Sequence, residues 1–344
     1  MILAIGEEIR SRSDYLVSPI ETIYFGGGTP SLMTTDQIQF LLEIIFNQFE
    51  VMEGAEITLE ANPEDLTIEK VQELKAIGIN RLSIGVQTFQ HEQLQWMNRA
   101  HSPEQIYHAY SSARSAGFTN ISLDLMYAIP KVDKLIWMND LEEVVKLDPE
   151  HLSLYGLTIE EKTVFGNWEA KGKLIQLPED AAADQYLEAI EFLTSNGFEQ
   201  YEVSNFGKRG FSSRHNAAYW SGESYLGVGP GAHSFNGNSR QFNVRNNHKY
   251  LKLLHENEPH FEIESLSATQ RLNERILTGL RTKKGINLHQ FQHEYGIDLM
   301  EQYGGFIRQM MSDDLIIIND HSMSLTSNGF LVADEIALRM FFNE

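Results

Sequence analysis

The sequence predicts an α/β fold of parallel strands joined by helical crossovers, completed by a small helical domain carrying a β-hairpin. Three observations predict it. Through about residue 160, short β-rich runs alternate with stretches of helical period. Four of the five runs lead into a glycine or a polar residue, namely Gly26, Glu60, Gln87 and Asp124. From residue 265 onward the pattern changes to helices followed by a hairpin. A doubly wound sheet and a barrel both fit the alternation. The polar strand ends favour the barrel, where such ends converge on one face; in an open sheet only a switch-point crevice collects them.

The predicted strands are 22–25, 56–60, 81–85, 120–124 and 151–155. Between them lie amphipathic helices at 35–49, 67–77, 103–116 and 135–147. In the first of these, Ile38, Leu41, Leu42, Ile45 and Phe46 recur with the helical period. Residues 161–264 are rich in Gly, Asn, Ser and aromatics, with a strand expected at 200–203. Helices at 268–280, 287–295 and 299–311 follow, then a hairpin of 315–318 and 323–325 and a closing helix at 328–341. Three helices and a hairpin resemble a winged helix. The domain expectation is therefore 1–160, 161–264 and 265–344.

Composition bounds the function. The chain has 344 residues and is 42% hydrophobic, as expected of a globular protein with a sizeable core. No apolar run approaches the ~18–20 residues that span a bilayer, and the acidic N-terminus is unlike a signal peptide. Lys plus Arg number 27 against 48 Asp plus Glu, a formal net charge of −21. Nucleic-acid binding needs clustered cations, and the predicted third helix of the winged-helix segment has none, so that segment reads as a packing or partner-binding module. There are no cysteines, which removes disulfides and thiolate-ligated metals from this chain and fits a cytosolic protein. No nucleic acid and no stable membrane insertion are expected.

Several motifs carry chemistry. Phe25-Gly26-Gly27-Gly28-Thr29-Pro30 follows the first strand. Its glycines let backbone approach a ligand, or simply make a tight turn. It lacks the lysine of a phosphate-binding loop. Glu60 precedes Asn62-Pro63 and can accept from ribose hydroxyls or an amine, or can stabilise a helix N-terminus. Gln87 ends Gly85-Val86-Gln87, and Arg99 offers a planar fork to a carboxylate. Asp124 lies in the apolar run Leu123-Asp124-Leu125-Met126, where an acid is costly unless paired or liganded.

In this order and spacing, Gly-Gly-Gly-Thr-Pro, Glu-x-Asn-Pro, Ser-Ile-Gly-Val-Gln-Thr-Phe, Asn-Arg-Ala-His and Ile-Ser-Leu-Asp-Leu-Met-Tyr resemble radical S-adenosylmethionine (SAM) proteins of the coproporphyrinogen-dehydrogenase-like group. The resemblance covers nearly the whole chain. It implies a partial (β/α)6 radical SAM barrel and a C-terminal winged-helix-like HemN C-terminal domain. It also implies SAM and a [4Fe–4S] cluster as cofactors. By it, Gly27, Gly28, Thr29, Glu60, Gln87, Arg99 and Asp124 match SAM-contacting positions. Residues 152–160, 201–206 and 214–220 resemble the heme-chaperone branch. There His215, Asn216, Tyr219 and Trp220 match a stretch associated with heme, His215 being the candidate iron ligand. His215 bonding within the fold is the other reading, and both stand at this point. Gly227 to Phe235 matches a segment near the SAM or substrate pocket; as bare sequence it is a glycine-rich turn.

The chain departs from that group in one respect. The group opens with a strand and a Cys-x-x-x-Cys-x-x-Cys loop, and neither is present. Met1 opens instead on Ile2, Ile5 and Ile9, the stripe of the helix expected after that strand. The reading is truncation before the cysteine loop, with loss of the cluster as the alternative. What the resemblance implies is a cytoplasmic heme chaperone that binds heme and SAM and delivers heme to an unknown acceptor protein. Its enzymatic status is open. The rivals are an oxygen-independent coproporphyrinogen III dehydrogenase and a cofactor-free (β/α) scaffold.

Overall fold

The computed structural model describes residues 1–343. Its main sheet has seven strands: β1 (Ile20–Phe25), β2 (Val51–Ala61), β3 (Arg81–Gln87), β4 (Ile121–Tyr127), β5 (His151–Gly156), β6 (Glu199–Gln200) and β7 (Asn205–Gly207). Their order is β1-β2-β3-β4-β5-β7-β6. The pairs β3–β4 and β4–β5 are parallel, whereas β7 runs antiparallel to β5 and to β6. The sheet is open, as a partial barrel requires. It also continues past residue 160 through two short antiparallel strands, β6 at the start of the strand expected at 200–203 and β7, which the sequence did not signal.

The helices of the repeat are α1 (Ile2–Ser11), α2 (Thr35–Gln48), α3 (Ile68–Ala76), α4 (His91–Trp96), α5 (Pro103–Ser115) and α6 (Lys134–Leu147). Their starts are set by local chemistry. Thr34 and Gln37 form a capping box on α2, Ser102 and Gln105 form another on α5, and Asp133 accepts from the Ile136 N–H at the start of α6. The stripe Ile2, Ile5 and Ile9 of α1 packs against Leu41 and Ile44 of α2.

The chain falls into two compact units. One comprises Leu59–Ser213 and Leu325–Leu331. In its sheet Leu82, Ile84, Val86, Leu123, Leu125, Leu152 and Leu154 are buried on one face. The alternate positions are Arg81, Ser83, Gln87, Ser122, Asp124, His151 and Ser153. Parallel sheets covered on both faces usually read apolar throughout, so a polar second face marks the side that holds a site. Helices α7 (Val164–Ala170) and α8 (Glu179–Ser195) complete this unit. The strand expected at 200–203 is shorter. Glu202, fully buried, accepts from the Ser204 N–H at 3.0 Å and from the Asn205 side chain, and so closes a turn there.

The other unit comprises Met1–Thr58, Arg214–Ser324 and Val332–Glu344. In it lie α9 (Arg214–Ser221) and the antiparallel strands β8 (His233–Phe235), β9 (Ser239–Asn243) and β10 (Phe261–Ser265), with α10 (Asn247–His255) between β9 and β10. Then come α11 (Ala268–Leu280), β11 (Ile286–Asn287), α12 (Leu288–Tyr295), α13 (Leu299–Ser312), β12 (Ile316–Asn319) and β13 (Ser322–Leu325). The last two strands are neighbours, joined by Asp320 and His321, both at positive φ, the turn geometry that suits hairpin twist. This is the expected three-helix and hairpin pattern. The closing helix is two pieces separated at Val332: α14 (Ser327–Leu331), which belongs to the unit that begins at Leu59, and α15 (Ala333–Arg339) of this one.

Candidate functional site

In the unit that begins at Leu59, the polar sheet face collects part of the expected SAM shell. Gln87 is the last residue of β3, 7% exposed, with φ +68. Pairing of β3 with β4 shifts register between Ile84 and Gln87, so that Gln87 rejoins the ladder opposite Leu125 after a bulge. A non-glycine residue at positive φ stores strain that its surroundings must hold in place. Asp140 of α6 does so: 1% exposed, it accepts from Thr88 Oγ1 at 2.6 Å, the Phe89 N–H at 3.0 Å and Gln90 Nε2 at 2.9 Å. The Gln87 amide folds back over Gly85, beside Asn62.

Asp124 is not at the end of its strand. It sits in the middle of β4, because Leu125, Met126 and Tyr127 go on pairing with Leu154, Tyr155 and Gly156. Ser83 donates to its carboxylate at 3.1 Å, and Ser153 bonds it as well. Burial raises the Asp124 carboxyl from 3.8 to about 6; bonds from Ser83 and Ser153 and the charge of Arg81 oppose that rise, and Glu60 adds to it. Arg99 is lowered by burial and held up by Glu64 and Asp124. Glu60, Arg99 and Asp124 thus share one electrostatic neighbourhood. His101 secures the Asn-Arg-Ala-His segment, with Nδ1 3.1 Å from Glu64 Oε2 and Nε2 3.2 Å from the Val86 carbonyl. A neutral His151, kept so by burial and by Arg81, lies between Ser122 and Tyr201 at 2.8 Å from each.

A raised native pKa gives a signed expectation. The native state keeps the Asp124 proton that the unfolded chain loses near pH 4, so stability falls as pH rises through about 6. Asp124→Asn removes that slope. Thermal midpoints across pH 4–7 should converge for the two proteins at low pH and diverge in favour of Asn at high pH; parallel curves would contradict it.

In the other unit, Gly27 has φ +77, and a Cβ at Gly27 or Gly28 would meet no atom within 4 Å. This loop leaves β1 and ends in a 3-10 turn Pro30–Leu32 preceded by Thr29.

The same unit builds a cradle around His215, the second residue of α9. Glu56 of β2, 6% exposed, accepts from the N–H groups of Arg214 at 3.2 Å and His215 at 3.1 Å, satisfying the first turn of the helix. The His215 ring stacks on Tyr24 with centroids 4.4 Å apart at 13°, and its Nδ1 lies 3.1 Å from Thr22 Oγ1. Tyr219, one helical turn on, meets it edge-on at 5.0 Å and 84°. Burial pushes the Tyr219 hydroxyl up to about 12, so it is neutral. Asn216 sits beside His215 on the first turn, half-buried. The Trp220 ring lies under Arg281 at 5.7 Å, with Arg275 approaching its carbonyl at 3.5 Å. The two aromatics at His215 are therefore Tyr24 and Tyr219, and sequence reasoning missed Tyr24, which precedes the glycine loop by two residues.

A third cluster in this unit was also missed. Glu8 of α1 is fully buried and accepts from the Gly229 N–H at 2.8 Å, Asn243 Nδ2 at 2.7 Å and the Tyr250 hydroxyl at 2.5 Å, with His260 Nε2 at 3.1 Å and Arg12 at 3.6 Å. It pins the Gly227–Phe235 segment to α1, β9 and α10. Its one sequence signal is an acid among the isoleucines of α1.

Comparison with known proteins agrees with this fold. The radical SAM superfamily matches residues 5–147 and the HemN C-terminal domain matches residues 266–332, which defines the class: a radical SAM chain with that appended domain. The solved structure of coproporphyrinogen III oxidase (HemN) from Escherichia coli has the same fold, with TM-score 0.83 over 98% of this chain and 82% of that one at 22% identity. Among curated proteins, heme chaperone HemW of Lactococcus lactis is 36% identical over 96% of this chain and 86% of its own length. Heme chaperone HemW of Bacillus subtilis is 35% identical over 92% and 84%. A mitochondrial radical S-adenosyl methionine domain-containing protein 1 of Danio rerio is 31% identical over 95% and 78%. The chain belongs to the heme chaperone HemW family.

The donor sets can be compared with the groups this family implies. Within the unit that begins at Leu59, strained Gln87, buried Asp124 and the Arg99 guanidinium suit SAM, which presents a carboxylate, an ammonium and ribose hydroxyls. The [4Fe–4S] cluster does not fit. The chain has no cysteine, and among the described residues no three His, Asp or Glu converge on a metal position.

Proposed function

We propose that this chain is a cytoplasmic heme chaperone, binding heme through His215 and passing it to an acceptor protein. The observation that carries this reading is the cradle at His215: an imidazole oriented by a hydroxyl, stacked on one aromatic and edged by another. An axial ligand needs a fixed imidazole and an apolar, aromatic flank for the macrocycle. The 35–36% relatives named as heme chaperones support it. Asn216 and Trp220 belong to the reading as flanking positions of the same helix, Trp220 at its far side against Arg281.

SAM is the second ligand of this reading. In the unit that begins at Leu59, Arg99 would take its carboxylate, Glu60 and Asp124 its ammonium or ribose hydroxyls, and Gln87 a polar edge; in the other unit, the loop of Gly27, Gly28 and Thr29 would by itself allow a close backbone approach to a ligand. In the family, reductive cleavage of SAM depends on the cluster, and no step through that group is available to these residues. The dehydrogenase alternative depends on the same step.

Heme titration tests the proposal. A saturable, one-to-one Soret band of histidine type is expected. No saturable band would leave a cofactor-free scaffold as the account.

A further inference from the structure

We infer that Thr22 and Tyr24 of β1 are positioning residues for His215, fixing its ring so that iron ligation runs through Nε2. The inference rests on the heme reading above and adds to it Thr22, 193 positions from His215 in the chain, and its neighbour Tyr24. A neutral imidazole that ligates through Nε2 carries its proton on Nδ1. Here Nδ1 lies 3.1 Å from Thr22 Oγ1, so in that tautomer the ring donates to the threonine. An acceptor on the distal nitrogen sets the tautomer, orients the ring and raises ligand basicity. Tyr24 does a second job. Its ring lies 4.4 Å from the imidazole at 13°, a stacked contact that opposes rotation of the histidine about its Cβ–Cγ bond. Glu56 anchors the backbone of the same residue at 3.1 Å, so both ends of the side chain are held.

Alternation along β1 explains the pair. Thr22 and Tyr24 are two apart and share a strand face, and both are half-buried, as is His215. Ile23 between them points the other way and is 7% exposed. Charges nearby include Glu56 and the Glu21–Arg214 pair at 2.9 Å. Arg214 pairs with Glu21 and Glu56 accepts from backbone N–H groups, while Thr22 Oγ1 is a neutral acceptor within hydrogen-bond distance of Nδ1.

The test is a set of heme titrations on the full chain, with the Fe(III)/Fe(II) midpoint potential of bound heme as second readout. Thr22→Val and Tyr24→Leu should each weaken binding about tenfold or more, the range seen when partners behind a metal ligand are removed. Thr22→Val should also raise the potential, because the ring loses electron donation when its N–H loses an acceptor; a purely structural role would not move it. Thr22→Ser and Tyr24→Phe, which keep the hydroxyl and the ring, should behave as the parent. Titrations and potentials equal to the parent for Thr22→Val and Tyr24→Leu, alongside loss of the Soret band in His215→Ala, would overturn the inference and leave the heme reading intact. A His215→Ala protein that titrates like the parent would remove the heme ligand itself, and the positioning role with it. Should Thr22→Val not fold, Tyr24→Leu against Tyr24→Phe carries the same decision.

Discussion

Replacing Glu8 with alanine is expected to lower the stability of its unit by about 3–5 kcal/mol, the range for removing one partner from a buried, fully bonded charge pair. The carboxylate is fully buried and receives Gly229 N–H, Asn243, Tyr250 and His260, with Arg12 at 3.6 Å. Alanine orphans all of these at once, and each buried donor left unmade costs roughly 1–3 kcal/mol. Arg12, 8% exposed, keeps its contacts with the Tyr15 and Phe261 rings at 4.7 and 4.6 Å and its bond to Gln241, so it stays in place as an uncompensated cation. Tyr250 already feels the carboxylate, which with burial holds its hydroxyl well above the usual range. Glu8→Gln keeps the shape and two acceptor lone pairs but turns an amide N–H2 toward donors, so it should lose less than alanine. Thermal and urea unfolding of the three proteins measure this. Alanine within about 1 kcal/mol of the parent would mean the carboxylate's desolvation cancels its bonds.

The second large effect is all-or-none. Reconstitution of this chain with iron and sulfide under reducing conditions is expected to give no [4Fe–4S] absorbance, and SAM added with a strong reductant should remain intact. Such clusters are held by cysteine thiolates, and the sequence contains none. Substitute donors would have to converge, and among the described residues no three His, Asp or Glu do. Stoichiometric cluster absorbance on this chain would refute the argument.

Much of the fold was legible because its signals are local. The isoleucine stripe of α1, the helical period of α2 and the hairpin near Asp320 each sit within one window of sequence. What was missed depended on partners far away or on composition that misleads. Helix α8 begins with an acidic, alanine-rich stretch, yet Tyr186, Ala189, Ile190 and Leu193 are buried at helical spacing. Its signal lay in the second half, inside a region whose glycines and asparagines read as loop. Strands β8, β9 and β10 form a sheet of short, polar runs whose pairing no single window displays. The site shows the same division. Gln87, Asp124 and His215 announce themselves by residue type in an unusual setting. Tyr24, Glu56 and Glu8 act through contacts made by the fold, and only coordinates join them to their partners. Asp124 shows the limit from the other side: its acid among apolar neighbours was readable, while its place in mid-strand followed from pairing with β5.

The central claim is that His215 ligates heme iron. Its most direct test is a heme titration of His215→Ala against the same parent chain. The account predicts that the parent gives a saturable histidine-type Soret band and that His215→Ala loses or strongly weakens it, while Asp124→Asn, in the other compact unit, leaves it unchanged. Identical titrations for His215→Ala and the parent would contradict the account and remove His215 from the heme site.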